Sequence, residues 1–398
     1  MPILRGKALV GQSGGPTAVI NQSLVGVIEA ARASDAISAV YGAVHGIAGV
    51  LDGNLIDLTH ETQATLEDVA ATPCAALRSV RKKPTREECV RVLETLRRHD
   101  VRYFFYIGGN DSAETAHVLN EIALAEDYEV RLFHVPKTID NDLRETDHCP
   151  GYGSAARFVA CAMMGDDLDN ISLKGIKVNV LMGRHAGWLT AASTLARSGE
   201  DDGPHLVYLP ERVFDVDAFL GEVERVYARL GRCLIAVSEG IHDAAGEPIF
   251  KTKEVDSHGN VQLSGSGALG DWLAGRIKQG LGEKLRVRAD TYGYLQRSFA
   301  GCTSAVDAAE AREVGRAAVR EALGGRPHGS IAIRRLGEGA DYRAGFEAVE
   351  LSAVAKVTRP LEPRYLAGDQ GVTEAFGDYA RPLVGPLPVR GRLSFRPV

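Results

Sequence analysis

Two carboxylates, a hydroxyl and an ammonium group lie within the segment 136–142, which reads PKTIDND. Asp140 and Asp142 are two positions apart, so in an extended turn their side chains point roughly the same way and repel each other. This repulsion raises the proton affinity of one carboxylate toward the range in which it can accept a proton from a substrate hydroxyl. An isolated Asp-x-Asp pair is also typical of an Asx turn or a helix cap, so the general-base interpretation depends on the neighbouring segments.

Several predicted strands end in polar or glycine-rich groups. The apolar run 130–135 predicts a buried strand directly before the carboxylates, and the runs 7–10, 103–107, 176–181, 206–209 and 233–237 are similar. Helical patterns follow most of them, notably at 20–33 and 152–170. The alternation predicts an α/β chain whose strand ends form one cleft rim or two facing rims, where ligands bind in open parallel sheets.

Glycines and cations at these strand ends favour a phosphate ligand. The segment 108–112 (GGNDS) follows the aromatic strand and precedes a helix predicted from about Ala113, which suits a phosphate or diphosphate group. Asp111 is interpreted there as a hard-metal ligand or steric gate, or alternatively as a helix N-cap. The run 77–84 holds four cations and is either a phosphate contact or a solvated basic face.

Composition excludes several functional classes. The 398-residue chain is long enough for two α/β domains, and its formal charge of -6 provides no global basic field for nucleic acid or an anionic membrane. Its six cysteines include no Cys-x-x-Cys pair, which favours reduced thiols. With no predicted signal peptide and no long apolar run, we expect a soluble cytoplasmic protein. We predict a loop at 258–267 and no chemistry beyond Pro360.

The ordered motifs resemble the phosphofructokinase family, and within it the pyrophosphate-dependent branch, over about residues 6–350. The motifs are Gly14-Gly15, Arg81, 108–112, 136–142, 182–184, 238–240 and 294–297. The resemblance implies two Rossmann-like three-layer α/β/α domains with mostly parallel sheets and the active site in the cleft between them. Residues 1–150 plus about 296–345 are expected to hold pyrophosphate and magnesium, and 151–295 plus about 346–398 the sugar phosphate.

The resemblance also implies roles for individual residues. Asp140 corresponds to the general base that takes the proton from the C1 hydroxyl of fructose 6-phosphate, assisted by Lys137, Thr138 and Arg184. The sugar-phosphate site is expected to comprise Thr138, Asp142, Met182, Gly183, Arg184, Glu239, Arg288, Tyr294 and Arg297. The donor side is expected to comprise Gly15, Arg81, Gly109, Asn110, Asp111 and Lys137, with Mg²⁺ on Asp111 and Asn110. The implied reaction runs in both directions.

Two positions bear on the phosphoryl donor. Relatives that use ATP carry glycine where this chain has Asp111 and Lys137. An aspartate should repel the α-phosphate of a nucleotide, and an ammonium can hold a short diphosphate that lacks an adenosine anchor. Tyr294, where ATP enzymes usually carry histidine, also favours the pyrophosphate branch. Asn110 replaces the usual magnesium-linked aspartate, so the metal is expected to depend on Asp111 and on water.

Other departures from the family concern the subunit interface and regulation. Gly175 stands where a bacterial ATP enzyme supplies an intersubunit arginine, and Lys174 or Lys177 is a candidate replacement. Val25 and Glu29 replace arginines that bind a nucleotide effector in those enzymes, so no such control is expected. The resemblance implies a homodimer or homotetramer with the active site completed across an interface.

Three alternatives stay open from the sequence. One is an ATP-dependent phosphofructokinase, and another is a kinase for a different ketose phosphate such as sedoheptulose 7-phosphate. The third is a non-catalytic sugar-phosphate sensor, which the presence of Thr138, Asp140, Asp142 and Arg184 disfavours.

Overall fold

The computed structural model describes residues 4–250, 267–355, 358–368 and 371–394. In these ranges the strands are β1 (Gly6–Gln12), β2 (Ile37–Ala43), β3 (Leu55–Asp57), β4 (Val101–Gly108), β5 (Arg131–Pro136), β6 (Ile176–Leu181), β7 (Leu206–Tyr208), β8 (Cys233–Ser238), β9 (Val287–Thr291), β10 (His328–Arg335) and β11 (Ala344–Val349). The helices are α1 (Ile20–Arg32), α2 (Gly46–Asp52), α3 (Gln63–Ala71), α4 (Arg86–Arg98), α5 (Asn110–Ala125), α6 (Tyr152–Ser172), α7 (Trp188–Ala192), α8 (Val216–Leu230), α9 (Ala268–Leu281), α10 (Leu295–Ser298), α11 (Ala305–Leu323), α12 (Leu351–Val354) and α13 (Glu374–Val384).

The first sheet has seven strands in the order β11-β10-β5-β4-β1-β2-β3. Its five central strands are parallel, and β3 and β11 pair antiparallel at the two edges. Strands β4 and β5 are apolar on both faces and almost wholly buried, as expected for central parallel strands covered by helices. The C-terminal ends of β1, β4 and β5 therefore place residues 13–17, 109–112 and 137–142 at one sheet edge.

The second sheet has four parallel strands in the order β7-β8-β6-β9. In its register Leu181 lies opposite Ser238, and Val180 lies opposite Thr291. The segments that follow these residues, 182–187, 238–240 and 292–297, consequently emerge at the same edge of this sheet.

The close packing of α1 against α11 depends on two glycines. A Cβ on Gly26 would lie 2.0 Å from the carbonyl oxygen of Arg312, and one on Gly315 would lie 2.2 Å from that of Ser23. On the same helix pair the Glu29 carboxylate accepts hydrogen bonds from Arg312 and Arg316. Glu29, at a position where bacterial ATP enzymes bind an effector, is therefore engaged in an internal ion-pair network.

The predicted class, α/β with mostly parallel sheets, is confirmed. Helix α5 begins at Asn110 rather than near Ala113, because Gly109 is its N-cap and its carbonyl accepts from the backbone of Ser112 and Ala113. The N-cap alternative for Asp111 is therefore wrong, since this residue lies in the first helical turn.

The structure tests the expected loop and domain boundaries only in part. The predicted loop 258–267 lies outside the described residues except for Gly267, the N-cap of α9. Strands β10 and β11, residues 328–349, belong to the first sheet, and the proposed domain boundaries stay a prediction. In the described part of the chain we find no helix long and apolar enough to span a membrane.

The chain beyond Pro360 contributes an aromatic cluster. Tyr365, Phe376 and Tyr379 surround the fully buried ring of Trp188, with ring centroids 5.3–6.5 Å from it. Helix α13 thereby packs its buried face against α6 and α7.

Candidate active site

A cleft of about 580 Å³ lies at the strand ends of the first sheet and reaches Met182 and Arg297, which follow strands of the second sheet. Eleven of the predicted site residues line it: Gly15, Arg81, Gly109, Asn110, Asp111, Lys137, Thr138, Asp140, Asp142, Met182 and Arg297. The structure thus brings the predicted donor side together with part of the predicted sugar-phosphate side.

Lys137 is the buried cation of this cleft, with its side chain and backbone in direct contact with two glycine loops. Its Nζ donates to the carbonyl oxygen of Gly15 at 2.8 Å, and its backbone N–H donates to Gly108 at 2.9 Å. Burial, together with the nearby positive charges of Arg297 and Arg81, lowers the pKa of Lys137 to about 7. An anion entering the cleft would restore the charged form, because it offsets both effects.

Asp140 has the environment of a general base. Burial raises its pKa to about 7, and the negative charges of Asp142 and Glu239 act in the same direction. Its backbone N–H donates to Thr138 Oγ1 at 3.1 Å, while its buried Oδ1 has no hydrogen-bond partner among the described residues. A buried acceptor in this condition suits a hydroxyl donor supplied by a substrate.

Asp142 and Asn110 connect the two strand ends. Asn110 Nδ2 donates to Asp142 Oδ2 at 3.3 Å, and burial raises the pKa of Asp142. The other side-chain atom of Asn110, Oδ1, is buried and accepts no hydrogen bond within the described ranges. This amide oxygen and the exposed carboxylate of Asp111 both belong to the first turn of α5 and line the cleft.

Asn110 Oδ1 and the Asp111 carboxylate are the oxygens of this wall that could hold a magnesium ion. The described residues contain no group of three or more His, Cys, Asp or Glu side chains arranged to hold a metal by themselves. Mg²⁺ usually takes one or two protein oxygens and completes its shell with water and substrate phosphates. The unpartnered Asn110 Oδ1 beside Asp111 provides such a partial site.

The glycine loop after β1 allows cations to approach the backbone. A Cβ on Gly15 would lie 2.6 Å from Arg297 Nη1, and one on Gly14, where φ is +74°, would lie 3.1 Å from Lys137 Nζ. Ser79 Oγ donates to the Gly14 carbonyl at 2.6 Å, which ties this loop to the basic run. A side chain at 14 or 15 would require the charged end of Lys137 or Arg297 to shift from its present position.

The sequence left open whether the basic run 77–84 contacts a phosphate or forms a solvated basic face, and its cations differ in this respect. Arg81 lines the cleft, as do Lys82 and Lys83. Lys82 also pairs with Glu88 at 2.7 Å, and Lys83 pairs with Glu114 at 2.7 Å. The two lysines are therefore partly neutralised by helices α4 and α5.

Residues from the second sheet form the wall behind Met182. The backbone N–H of Gly183 donates to Glu239 Oε1 at 3.4 Å, and Ser238 Oγ donates to the Gly183 carbonyl at 2.6 Å. The Met182 N–H donates to the buried Gln296 Oε1 at 3.3 Å. These bonds join the ends of β6, β8 and α10 into one unit.

Five predicted residues are not among those lining the cleft within the described chain: Gly183, Arg184, Glu239, Arg288 and Tyr294. Gly183 and Glu239 are buried behind Met182, and Arg184 is half-buried beside them. Arg288 is exposed on the edge strand β9. Tyr294 is 41% exposed, and its ring stacks with the Arg297 guanidinium at 4.3 Å.

Lys177, a candidate replacement for the intersubunit arginine, is occupied by acidic neighbours. Its Nζ lies 2.5 Å from Asp166 and 2.9 Å from Asp290. This engagement disfavours Lys177 as a phosphate ligand, because two carboxylates already balance its charge.

Sequence reasoning missed the residues beneath the glycine loops. His134 lies fully buried under residue 108, with Nε2 2.8 Å from the Gly108 carbonyl oxygen and Nδ1 2.8 Å from Ser330 Oγ. Burial lowers the pKa of His134 to about 4, so the ring is neutral. The one sequence feature that could have indicated this role is the position of His134 within an otherwise apolar strand. Ser13 and Ser112 hydrogen-bond each other between the two glycine loops; Ser13 directly precedes the Gly14-Gly15 motif, and Ser112 belongs to the motif 108–112.

Comparison with known proteins gives concordant matches. A family model described as Phosphofructokinase matches residues 7–322. A pyrophosphate–fructose 6-phosphate 1-phosphotransferase of Rhodospirillum rubrum is 52% identical over 388 residues, covering 96% of this chain and 95% of the relative. The protein of that name from Xanthomonas campestris is 42% identical, covering 95% and 91%. A crystal structure of a pyrophosphate-dependent phosphofructokinase from Marinobacter aquaeolei superposes with a TM-score of 0.86 at 34% identity, covering 99% of this chain and 95% of that one.

Proposed function

The chain belongs to the phosphofructokinase family, and we propose that it transfers a phosphoryl group from pyrophosphate to the C1 hydroxyl of fructose 6-phosphate, reversibly. The observation that carries this proposal is the cleft in which a buried ammonium, Lys137, and a buried carboxylate, Asp140, lie three residues apart beside two glycine loops. Relatives that share the full length of the chain are named for this reaction.

Asp140 acts as the base on the acceptor side. Its unpartnered Oδ1 accepts the hydrogen bond of the C1 hydroxyl and takes the proton as that oxygen attacks phosphorus. A pKa of about 7 suits this role, because about half of the carboxylate is ionised at neutral pH and it is basic enough to bind a proton. In the reverse direction the same carboxyl returns the proton.

The cations of the cleft neutralise the phosphoryl oxygens. Phosphoryl transfer has a loose transition state with charge spread over three equatorial oxygens, so catalysis depends mainly on positioning and charge. Lys137 and Arg297 approach the backbone of Gly14 and Gly15, and Arg81 lines the same wall. Arg184 is half-buried behind Met182, next to the sugar side of the cleft.

Asn110 Oδ1 and Asp111 would hold Mg²⁺ on the donor side. When bound, the ion supplies further positive charge to the diphosphate oxygens. We place the sugar on the side of the cleft lined by Thr138, Asp142 and Met182, with Gly183 and Glu239 buried behind Met182.

Donor choice follows from the charges at the cleft wall. The exposed Asp111 carboxylate repels a nucleotide α-phosphate, and the Lys137 ammonium compensates for a donor that brings no purine to bind. Pyrophosphate has no α-phosphate for Asp111 to repel, and it needs the Lys137 charge because it brings no purine. ATP carries the α-phosphate and binds through its purine instead.

We infer a cytoplasmic homodimer or homotetramer. Exposed Arg288 and Tyr294 do not line the cleft of their own chain, an arrangement that suits completion of the site by a neighbouring copy. The six cysteines are unpaired thiols, which suits a reducing compartment. Light scattering on the purified protein tests the assembly, and a monomer at working concentration would contradict it.

The reaction itself is tested by following phosphorus. Purified protein is incubated with fructose 6-phosphate, pyrophosphate and Mg²⁺, and ³¹P NMR records the products. We expect a sugar bisphosphate with a new phosphate on C1, together with orthophosphate. Unchanged substrates, or orthophosphate without the bisphosphate, would contradict the proposal.

A further inference from the structure

The turn that carries the two carboxylates is an irregular piece of backbone. Asn141, between Asp140 and Asp142, has φ +55°, in the left-handed region that non-glycine residues rarely occupy. The carboxylates on either side of it are half-buried, and the charge of Asp142 raises the pKa of Asp140. Asn tolerates this backbone conformation better than other non-glycine residues, so it is the two repelling carboxylates that the surrounding structure must hold in place.

Arg359 holds the backbone of this turn with three hydrogen bonds. Its N–H donates to the Asp142 carbonyl at 2.7 Å, and its Nη2 donates to the Asn141 carbonyl at 3.0 Å. Its Nη1 donates to the Thr146 carbonyl at 2.8 Å. One residue therefore fixes the carbonyl groups on both sides of the Asp142 Cα.

Tyr379 holds the side chain of the same turn. Asn141 Nδ2 donates to the Tyr379 hydroxyl at 2.8 Å, and that hydroxyl donates to the Asp147 carbonyl at 2.9 Å. Asn141 Oδ1 accepts from the Cys149 N–H at 3.0 Å. The fully buried Asn141 amide is thereby satisfied on both atoms.

Both residues are themselves held by the aromatic cluster. The Arg359 guanidinium stacks on Trp188 at 4.6 Å, and Trp188 Nε1 donates to the Arg359 carbonyl at 3.3 Å. The Tyr379 ring lies 5.3 Å from the same indole. Both supports of the turn therefore pack on the buried Trp188 ring: Tyr379 from helix α13, and Arg359 from the segment between α12 and α13.

We propose that Arg359 and Tyr379 are positioning residues for phosphoryl transfer, which fix the turn 140–142 so that the Asp140 carboxylate faces the acceptor hydroxyl. Neither side chain is assigned a contact with substrate; they act through Asn141 and Asp142. The inference rests on the proposed function, since it concerns the same site. A displacement of the base by a fraction of an ångström would lower the rate of the chemical step with little effect on substrate binding.

The test compares two Tyr→Phe changes in one aromatic cluster. Tyr379→Phe removes the hydroxyl that contacts Asn141, and Tyr365→Phe removes a hydroxyl from a ring 5.4 Å away that is assigned no contact with the turn. We expect Tyr379→Phe to lower kcat about 10-fold with both KM values within about 2-fold of wild type. Tyr365→Phe should keep wild-type kcat. Equal kcat values for the two variants would overturn the inference.

A second variant distinguishes lost positioning of the turn from misfolding of the protein. Arg359→Ala should lose more than about 10-fold in kcat, and added methylguanidine should restore part of that loss because it can bridge the freed carbonyls. A loss of kcat with no rescue would count against a positioning role. An inactive wild type would instead refute the proposed function, so the two failures can be told apart.

Discussion

The ammonium nitrogen of Lys137 donates a 2.8 Å hydrogen bond to the carbonyl oxygen of Gly15, across 122 positions of sequence. This bond joins the strand end that carries the base to the glycine loop after the first strand. Because Lys137 is only 3% exposed, its positive charge is directed into the cleft rather than into solvent. The donor phosphates are expected to bind where these two loops meet.

Removal of the base should abolish most of the activity. We expect Asp140→Asn to lower kcat by about 10²–10⁴-fold, the usual contribution of a general base, with the KM for fructose 6-phosphate little changed. Steady-state kinetics with pyrophosphate measure both constants. Near-normal turnover in this variant would show that another group takes the proton.

The charge at position 137 should matter specifically for the short donor. We expect Lys137→Met to lower kcat/KM for pyrophosphate by about 10²-fold or more, because it removes a preorganised positive charge from a buried site. The paired change Asp111→Gly, Lys137→Gly should shift donor preference toward ATP. Unaltered donor preference in the double variant would refute the role given to these two side chains.

The pH profile should be bell-shaped around neutrality. Asp140, with its pKa raised to about 7 by burial, Asp142 and Glu239, must be ionised, so kcat/KM falls as the pH drops below that value. Lys137, with its pKa lowered to about 7 by burial, Arg297 and Arg81, must be charged, so kcat/KM also falls as the pH rises. Lys137→Arg should keep the acidic limb and lose the alkaline one, because a guanidinium does not titrate there. An unchanged alkaline limb would assign it to another group.

His148 should make stability depend on pH. Burial alone would lower the pKa of His148, but hydrogen bonds and charge from Glu310 and Asp147 raise it to about 9, above the ordinary 6.5. The folded state therefore binds the extra proton, and its contribution is complete below about pH 6.5 and is lost as the pH rises through about 9.

Denaturant unfolding between pH 6 and pH 10 measures this effect. We expect His148→Gln to cost about 3 kcal/mol at low pH, since it leaves the buried Glu310 carboxylate without its cation while Asp147 keeps Arg335, and to flatten the pH dependence. Wild-type and variant curves that stay parallel over this range would contradict the assignment.

Local sequence pattern was sufficient to place the two carboxylates at the end of a strand, and with them most of the elements around the cleft. The apolar run before Pro136 gives a strand, and the carboxylates must then lie at its end, so Asp140 could be identified without coordinates. The hydrogen bond from Lys137 to Gly15 could not, because nothing local links residues so far apart in sequence. Helix α5 extended further than expected because Gly109 caps it and places Asn110 and Asp111 in its first turn.

The residues that support the turn 140–142 could not be predicted from the sequence. Arg359 and Tyr379 contact Asn141 from 218 and 238 positions away, and Tyr379 occurs beyond Pro360, where the sequence suggested no chemistry. Arg288 was placed in the site by resemblance, yet it is exposed on an edge strand, and a role for it requires a second chain.

The most informative measurement is the ratio of kcat/KM for pyrophosphate to that for ATP, with fructose 6-phosphate and Mg²⁺ in a coupled assay. A buried ammonium at 137 and a carboxylate at 111 predict turnover with pyrophosphate and little or none with ATP. A protein that used ATP efficiently and ignored pyrophosphate would contradict the donor site described for this cleft.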